Sequence, residues 1–194
     1  SYSATVNENA VIGGNGNPNT SKLSYGDSST TKTTPDSTTI TYTWSFDILK
    51  YGNGDETKVL EDAKFVLLNN NKTKVATIVN GKLIGWVDVP AAGTDGTITW
   101  PANTILTTNA QGKIDIDGLD ADTYYLREVE APKGYNKLTE DEEVKIQPMA
   151  SEDGKSLTLT SLTVKVNNQS GSELPSTGGM GTTIFYVVGS ILLV

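Results

Sequence analysis

The sequence predicts an all-β protein: an immunoglobulin-like β-sandwich, preceded by a remnant β-hairpin of another domain and followed by a C-terminal apolar segment. Three observations carry this. From Ile40 onward apolar residues alternate with polar ones at a period of two. Short strand-like runs are separated by Gly, Asn, Asp and Pro at close intervals. No stretch shows the three-to-four-residue spacing of an amphipathic helix. The chain has 194 residues, 36% of them hydrophobic, which suits one domain of ordinary size or one and a part.

Residues 1–26 hold a turn-rich centre, Gly13 to Asn19 (GGNGNPN), and then TSKLSY, which reads as a short strand. This piece is too small to bury a core and is expected to be the closing hairpin of a preceding domain. Its glycines do not form a phosphate loop, because no Lys-Ser/Thr pair and no helix pattern follow. Residues 27–39 (DSSTTKTTPDSTT) are polar throughout and read as a linker. A strand through Tyr42, Trp44, Phe46 and Ile48 opens the sandwich, which is expected over residues 40–170. It is followed by AKFVLL, TKVATIV, KLIGWV, GTITW, GKIDIDG, TYYLREV, EEVKIQ and the long run LTLTSLTVKV. LPSTGG then leads into the apolar run from Thr182 to Val194. That run is shorter than the roughly 20 residues a membrane helix needs. The start, Ser1 to Val6, is neither a signal peptide nor an initiator methionine, so the chain is expected to be a piece of a longer one.

The formal charge is −8, with no Lys/Arg cluster, which argues against nucleic acid and anionic lipid as partners. There is no Cys and no His. Disulfides, Cys/His metal sites and His-based catalysis are therefore excluded. Neither a cofactor nor a metal is expected, and the acid-rich DIDGLDAD (Asp115 to Asp122) fails the spacing of an EF-hand loop. It reads as a hairpin turn. Trp86 and Trp100 read as core or packing residues. No pair of carboxylates suggests glycosidase work.

Three polar residues break the apolar face. One step beyond Ile48 on the first strand lies Lys50. One step beyond Leu162, Val164 and Val166 lies Asn168. One step beyond Tyr124 and Leu126 lies Glu128. The alternation aims all three into the core at strand ends. Burial disfavours charge, so it lowers the pKa of an amine and raises that of a carboxyl. Together such groups offer a nucleophilic amine, a carboxamide carbon to attack, and an acid to bind the carbonyl oxygen and pass protons to departing ammonia. The product is an amide joining first strand to last. A plain Lys–Glu salt bridge at the strand ends satisfies the same alternation. Asn168-Gln169-Ser170, Asn71-Lys72-Thr73 and Asn19-Thr20-Ser21 also fit the glycosylation sequon.

YYLREVEAPKGY, Tyr124 to Tyr135, resembles the E-box of Gram-positive pilins, Y-x-L-x-E-x-x-A-P-x-G-Y. It fits at Tyr124, Leu126, Glu128, Ala131, Pro132, Gly134 and Tyr135. The opening FDILKYGNGDETKVLEDAKFVLL and the closing VKVNNQSGSELPSTGG resemble the first and last strands of a collagen-adhesin B-type (CnaB) domain. The resemblance implies a spontaneous isopeptide bond between Lys50 and Asn168, promoted by Glu128, with Asn167 as the alternative of wrong parity. LPSTGG resembles a sortase sorting signal with its motif on Leu174, Pro175, Ser176, Thr177 and Gly178. It implies cleavage between Thr177 and Gly178, and division of the C-terminus into a signal (171–182) and a truncated membrane anchor (183–194).

The resemblance is to the C-terminal part of a major (backbone) pilin. It implies a structural, non-enzymatic subunit of a covalently polymerised, cell-wall-anchored surface fibre. The implied partners are a sortase transpeptidase, neighbouring pilin subunits, peptidoglycan and host surface molecules, with the membrane touched only by the precursor. Residues 1–26 resemble the end of a middle pilin domain, in which Asn19 is a candidate cross-linking residue. A stalk domain of a wall-anchored adhesin or minor pilin is the alternative. A catalytic domain on such a stalk would have to lie upstream.

Overall fold

The computed structural model describes residues 7, 9–27, 29–152 and 154–171. Its strands run β1 (Asn17–Ser21), β2 (Ser24–Gly26), β3 (Thr31–Thr33), β4 (Ser37–Thr41), β5 (Trp44–Gly52), β6 (Asp55–Val59), β7 (Lys64–Leu68) and β8 (Lys74–Val79). They continue with β9 (Lys82–Asp88), β10 (Leu106–Thr107), β11 (Lys113–Leu119), β12 (Thr123–Glu130), β13 (Glu142–Lys145), β14 (Met149–Ala150), β15 (Leu157–Thr158) and β16 (Thr163–Asn168). The one helical element among the described residues is a single 3-10 turn, Ala102–Thr104.

The main sheet runs β13-β12-β7-β8-β9-β11-β5-β16, with β10 on β7 and β6 on β5. Two joints in this path are thin. β7 meets β8 at Leu68↔Val75, and β9 meets β11 at Asp117↔Lys82. The path folds over there, so that β5 and β16 lie opposite β12 and β7. Phe46 and Ile48 of β5, Phe65 and Leu67 of β7, Ile116 of β11, Leu126 of β12 and Val166 of β16 share one buried cluster. This is a β-sandwich. β5 alternates strictly between buried and half-buried residues, as its period of two requires. β7 is buried on both faces. Its outer residues Val66 and Leu68 form a second cluster with Val75, covered by Val89, Trp100, Tyr125 and Val129.

Several expectations change. GTITW is not a strand: Gly93 and Thr97 close a turn (Gly93 N to Thr97 O, 2.7 Å) and Trp100 packs outside β7. Pro101, directly after Trp100, lacks the N–H a ladder needs. LTLTSLTVKV is two strands. β15 pairs with β14, whereas β16 runs parallel to β5, and Leu159 and Leu162 pack on the core between them. Residues 120–122 are not a hairpin turn, because β11 pairs with β5 and β9 while β12 pairs with β7 and β13. The chain crosses between layers there. Residues 27–39, expected as a linker, contain β3 and the start of β4, paired with β2 and β1. TSKLSY is correspondingly split between β1 and β2. These strands are almost wholly exposed, with Tyr25 and Ile40 as their large apolar residues, so Thr β-propensity and ladder bonds form them without an apolar stripe. The hairpin meets the sandwich at the Ile12↔Thr43 bridge and the bond from Gly13 N to Thr43 O, 2.7 Å.

Candidate functional site: a buried lysine, glutamate and asparagine

Lys50, Glu128 and Asn168 come together as their alternation predicts. Their relative exposures are 0%, 2% and 1%. β5 and β16 are parallel neighbours with Val166 opposite Lys50 and Asn168 opposite Gly52. Asn168 is thus the diagonal neighbour of Lys50 on the inner face, a gap the long lysine side chain spans. Glu128 arrives from β12 in the facing layer.

Lys50 Nζ donates to Asn168 Oδ1 and to the Val166 carbonyl at 3.3 Å. It lies 3.6 Å from Glu128 Oε1 and 5.8 Å from the Phe65 ring centre. Asn168 Nδ2 donates to both carboxylate oxygens of Glu128, each at 2.9 Å, and to the Asn136 carbonyl at 2.9 Å. Leu138 N–H donates to Glu128 Oε2 at 2.7 Å. Every buried side-chain polar atom among the described residues has a partner. Burial pushes the Lys50 amine below its ordinary value, against the opposing pull of Glu128.

Glu128 sits on the amide nitrogen, not on the carbonyl oxygen as expected. The Asn136 carbonyl can only accept, so Nδ2 must face it, and the carboxylate binds that same nitrogen. Asn167 faces the other way and accepts from Gly54 N–H at 2.9 Å. The buried Asn168 amide is committed inside the site, which removes its sequon from the surface. Trp86 stacks on Tyr124 at 5.9 Å, a packing role. No metal-ligating cluster occurs among the described residues. Leu174, Pro175, Ser176, Thr177, Gly178 and the apolar run after them lie outside the described residues.

The backbone groups of Asn136 and Leu138 carry no residue-type signal, and sequence reasoning missed them. The nearest signal is APKGY. Gly134 takes a left-handed turn (φ +85). The chain then pairs with the exit from β16 through the Tyr135↔Ser170 bridge, Asn136 N to Gln169 O at 2.9 Å and Gly171 N to Gly134 O at 2.9 Å. This closes the end of the sandwich over the triad.

Fold and site define a class: an all-β, immunoglobulin-like domain whose first and last strands are tied by a sealed Lys–Glu–Asn cluster. The sequence matches the model of the SpaA prealbumin-like fold domain over residues 45–163, and the chain belongs to that family. Among solved structures it is similar to the group B streptococcus pilus 2b backbone protein, with 29% identity and a TM-score of 0.50, covering 76% of this chain and 50% of that one. It is also similar to GBS52, the minor pilin of Streptococcus agalactiae, with 25% identity and a TM-score of 0.48 over 69% of this chain and 48% of that one. A third is the shaft pilin SpaA of Lactobacillus rhamnosus GG, with 18% identity and a TM-score of 0.47 over 72% and 52%. The chain spans about half the length of each of these three. No curated protein sequence matches it.

Proposed function

We propose that this chain is the C-terminal part of a pilus backbone subunit, strengthened by an autocatalytic amide between Lys50 and Asn168 and joined to its neighbours through LPSTG. The observation that carries the reading is the sealed Lys50–Glu128–Asn168 cluster bridging β5 and β16. The similarity to the streptococcal pilus backbone protein supports it.

The chemistry follows from the contacts. A proton passes from the Lys50 ammonium to Glu128, which burial favours because it removes two charges from a dry site. The free amine attacks Asn168 Cγ and a C–N bond forms. Glu128 hands its proton to Nδ2, which it already touches, and takes one from the attacking nitrogen. The Cγ–Nδ2 bond then breaks. Ammonia leaves and picks up the carboxyl proton as ammonium, returning Glu128 to a carboxylate. The Asn136 carbonyl holds Nδ2 in place throughout. Beyond the sandwich, LPSTG would present the Thr177–Gly178 bond to a sortase transpeptidase, which transfers Thr177 to an amine of a neighbouring subunit or of peptidoglycan at the cell surface.

Intact mass tests the reading. The folded protein is expected to be one ammonia lighter than its sequence, and Glu128→Ala to keep the full mass. Full mass for both would reduce the cluster to a buried salt bridge and remove the cross-link.

A further inference from the structure

We infer that Arg127 and Asp141 are positioning residues for the Lys50–Asn168 cross-link: their ion pair holds strap 136–141 over the triad and thereby sets the rate of bond formation. The inference rests on the isopeptide reading above.

The strap supplies two of the groups that hold the reacting atoms. The Asn136 carbonyl fixes Asn168 Nδ2, and Leu138 N–H fixes Glu128 Oε2. Yet residues 136–141 belong to no strand. An open pocket of about 300 Å³ lies where the strap meets β12, lined by Arg127, Glu128, Leu138 and Asp141 among others. Leu138 is the strap residue that packs against the core, and the exposed residues on either side of it leave polar ties to hold the rest. One end is tied by Asn136 N to Gln169 O. At the other end, just before the β12–β13 ladder begins at Leu126↔Glu142, Asp141 accepts two bonds from Arg127, Nε to Oδ1 at 2.8 Å and Nη2 to Oδ2 at 2.9 Å. A bidentate guanidinium–carboxylate pair fixes both distance and orientation, which a lysine pair does not.

Placement makes the clamp specific. Arg127 precedes Glu128 on β12, so the two point to opposite faces. Glu128 works inside the sandwich while Arg127 grips the strap from outside. Lys72, in the β7–β8 loop, reinforces the grip. Its Nζ lies 2.9 Å from Asp141 Oδ2 and 4.1 Å from the Tyr125 ring centre. Arg127 first, and Lys72 after it, hold the Asp141 carboxyl below the usual carboxylate range, although burial acts the other way.

The test is a time course of ammonia loss by intact mass after cell-free synthesis. It compares the parent, Asp141→Asn, Arg127→Gln, Lys72→Gln and Asp141→Glu, each well below its own melting temperature and shown folded by circular dichroism. Asp141→Asn and Arg127→Gln are expected to convert roughly tenfold or more slowly, since small misplacements of reacting groups carry such penalties. Lys72→Gln should slow conversion less, and Asp141→Glu, which keeps the carboxylate, should recover most of the parent rate. A purely structural role would lower melting temperatures without changing conversion in the folded state. Parent-like rates in folded Asp141→Asn and Arg127→Gln would overturn the inference while leaving the cross-link intact. If both fail to fold, Lys72→Gln decides, and a parent-like rate for it overturns the clamp. A parent that never loses ammonia fails the isopeptide reading itself.

Discussion

Lys50 is fully buried beside one carboxylate, and its protonation links the site to pH. Burial lowers its pKa below the unfolded value, and Glu128 opposes the shift. Replacing Glu128 with Gln removes that opposition and, on the proposed chemistry, the cross-link as well. Between the folded and unfolded pKa values the unfolded chain then binds more protons than the folded one. Stability therefore rises with pH across that window. It is complete above the ordinary lysine value of 10.5 and is lost as pH falls through the folded value. Urea midpoints of Glu128→Gln should climb from neutral pH toward pH 10. On the proposed chemistry the parent's Lys50 amine is an amide and contributes no such slope. A flat profile for Glu128→Gln would mean that Lys50 reaches water in the folded state.

At the scale of elements, β5 and the turn after β12 are fitted to each other at Gly52. A Cβ there would stand 2.6 Å from Cε1 and 2.7 Å from the hydroxyl of Tyr135. Gly52→Ala should cost about 1–3 kcal/mol, the usual range for overpacking, read as a lower denaturant midpoint. Gly54→Ala is a poor control because its φ is +75. Tyr135→Ala in the Gly52→Ala background is the better one, since it removes the clash and should recover part of the loss. An unchanged midpoint would show that Tyr135 swings away freely. Gly52 also marks the limit of what period two reveals. Alternation located Lys50, Glu128 and Asn168 because each lies on a strand with an apolar face. It missed β3 and the start of β4, which lie in the stretch read as a linker; the one apolar residue of these two strands is Ile40. It accepted GTITW, which alternates but packs as a loop on β7. It joined β15 to β16, because alternation continued through a change of partner strand. Asn136 and Leu138 act through backbone atoms that every residue carries, so only the folded path of the strap identifies them.

For the whole molecule, the direction of β16 decides how load travels. β5 and β16 are adjacent and parallel. Tension applied at the domain's two ends enters the N-terminal end of β5 and leaves the C-terminal end of β16, which places their ladder in shear. Without a cross-link, rupture of that ladder releases the sandwich. With one, tension runs from Lys50 directly to Asn168, and the chain between them carries none. The two residues are 118 positions apart. Closing a loop of that size restricts the unfolded chain by about 5 kcal/mol in the loop-entropy account. The mechanical effect is larger in kind, because the enclosed segment cannot extend at all until a covalent bond breaks. Pulling single molecules by the ends of the described chain should show no release of the sandwich in the parent. In Lys50→Ala it should show one release of about 400 Å of contour, the extended length of the enclosed segment at roughly 3.3–3.6 Å per residue. A release of that length in a parent population already shown to have lost ammonia would place the cross-link elsewhere in the chain. Its absence from both proteins would mean that β5 and β16 bear the load without a covalent tie.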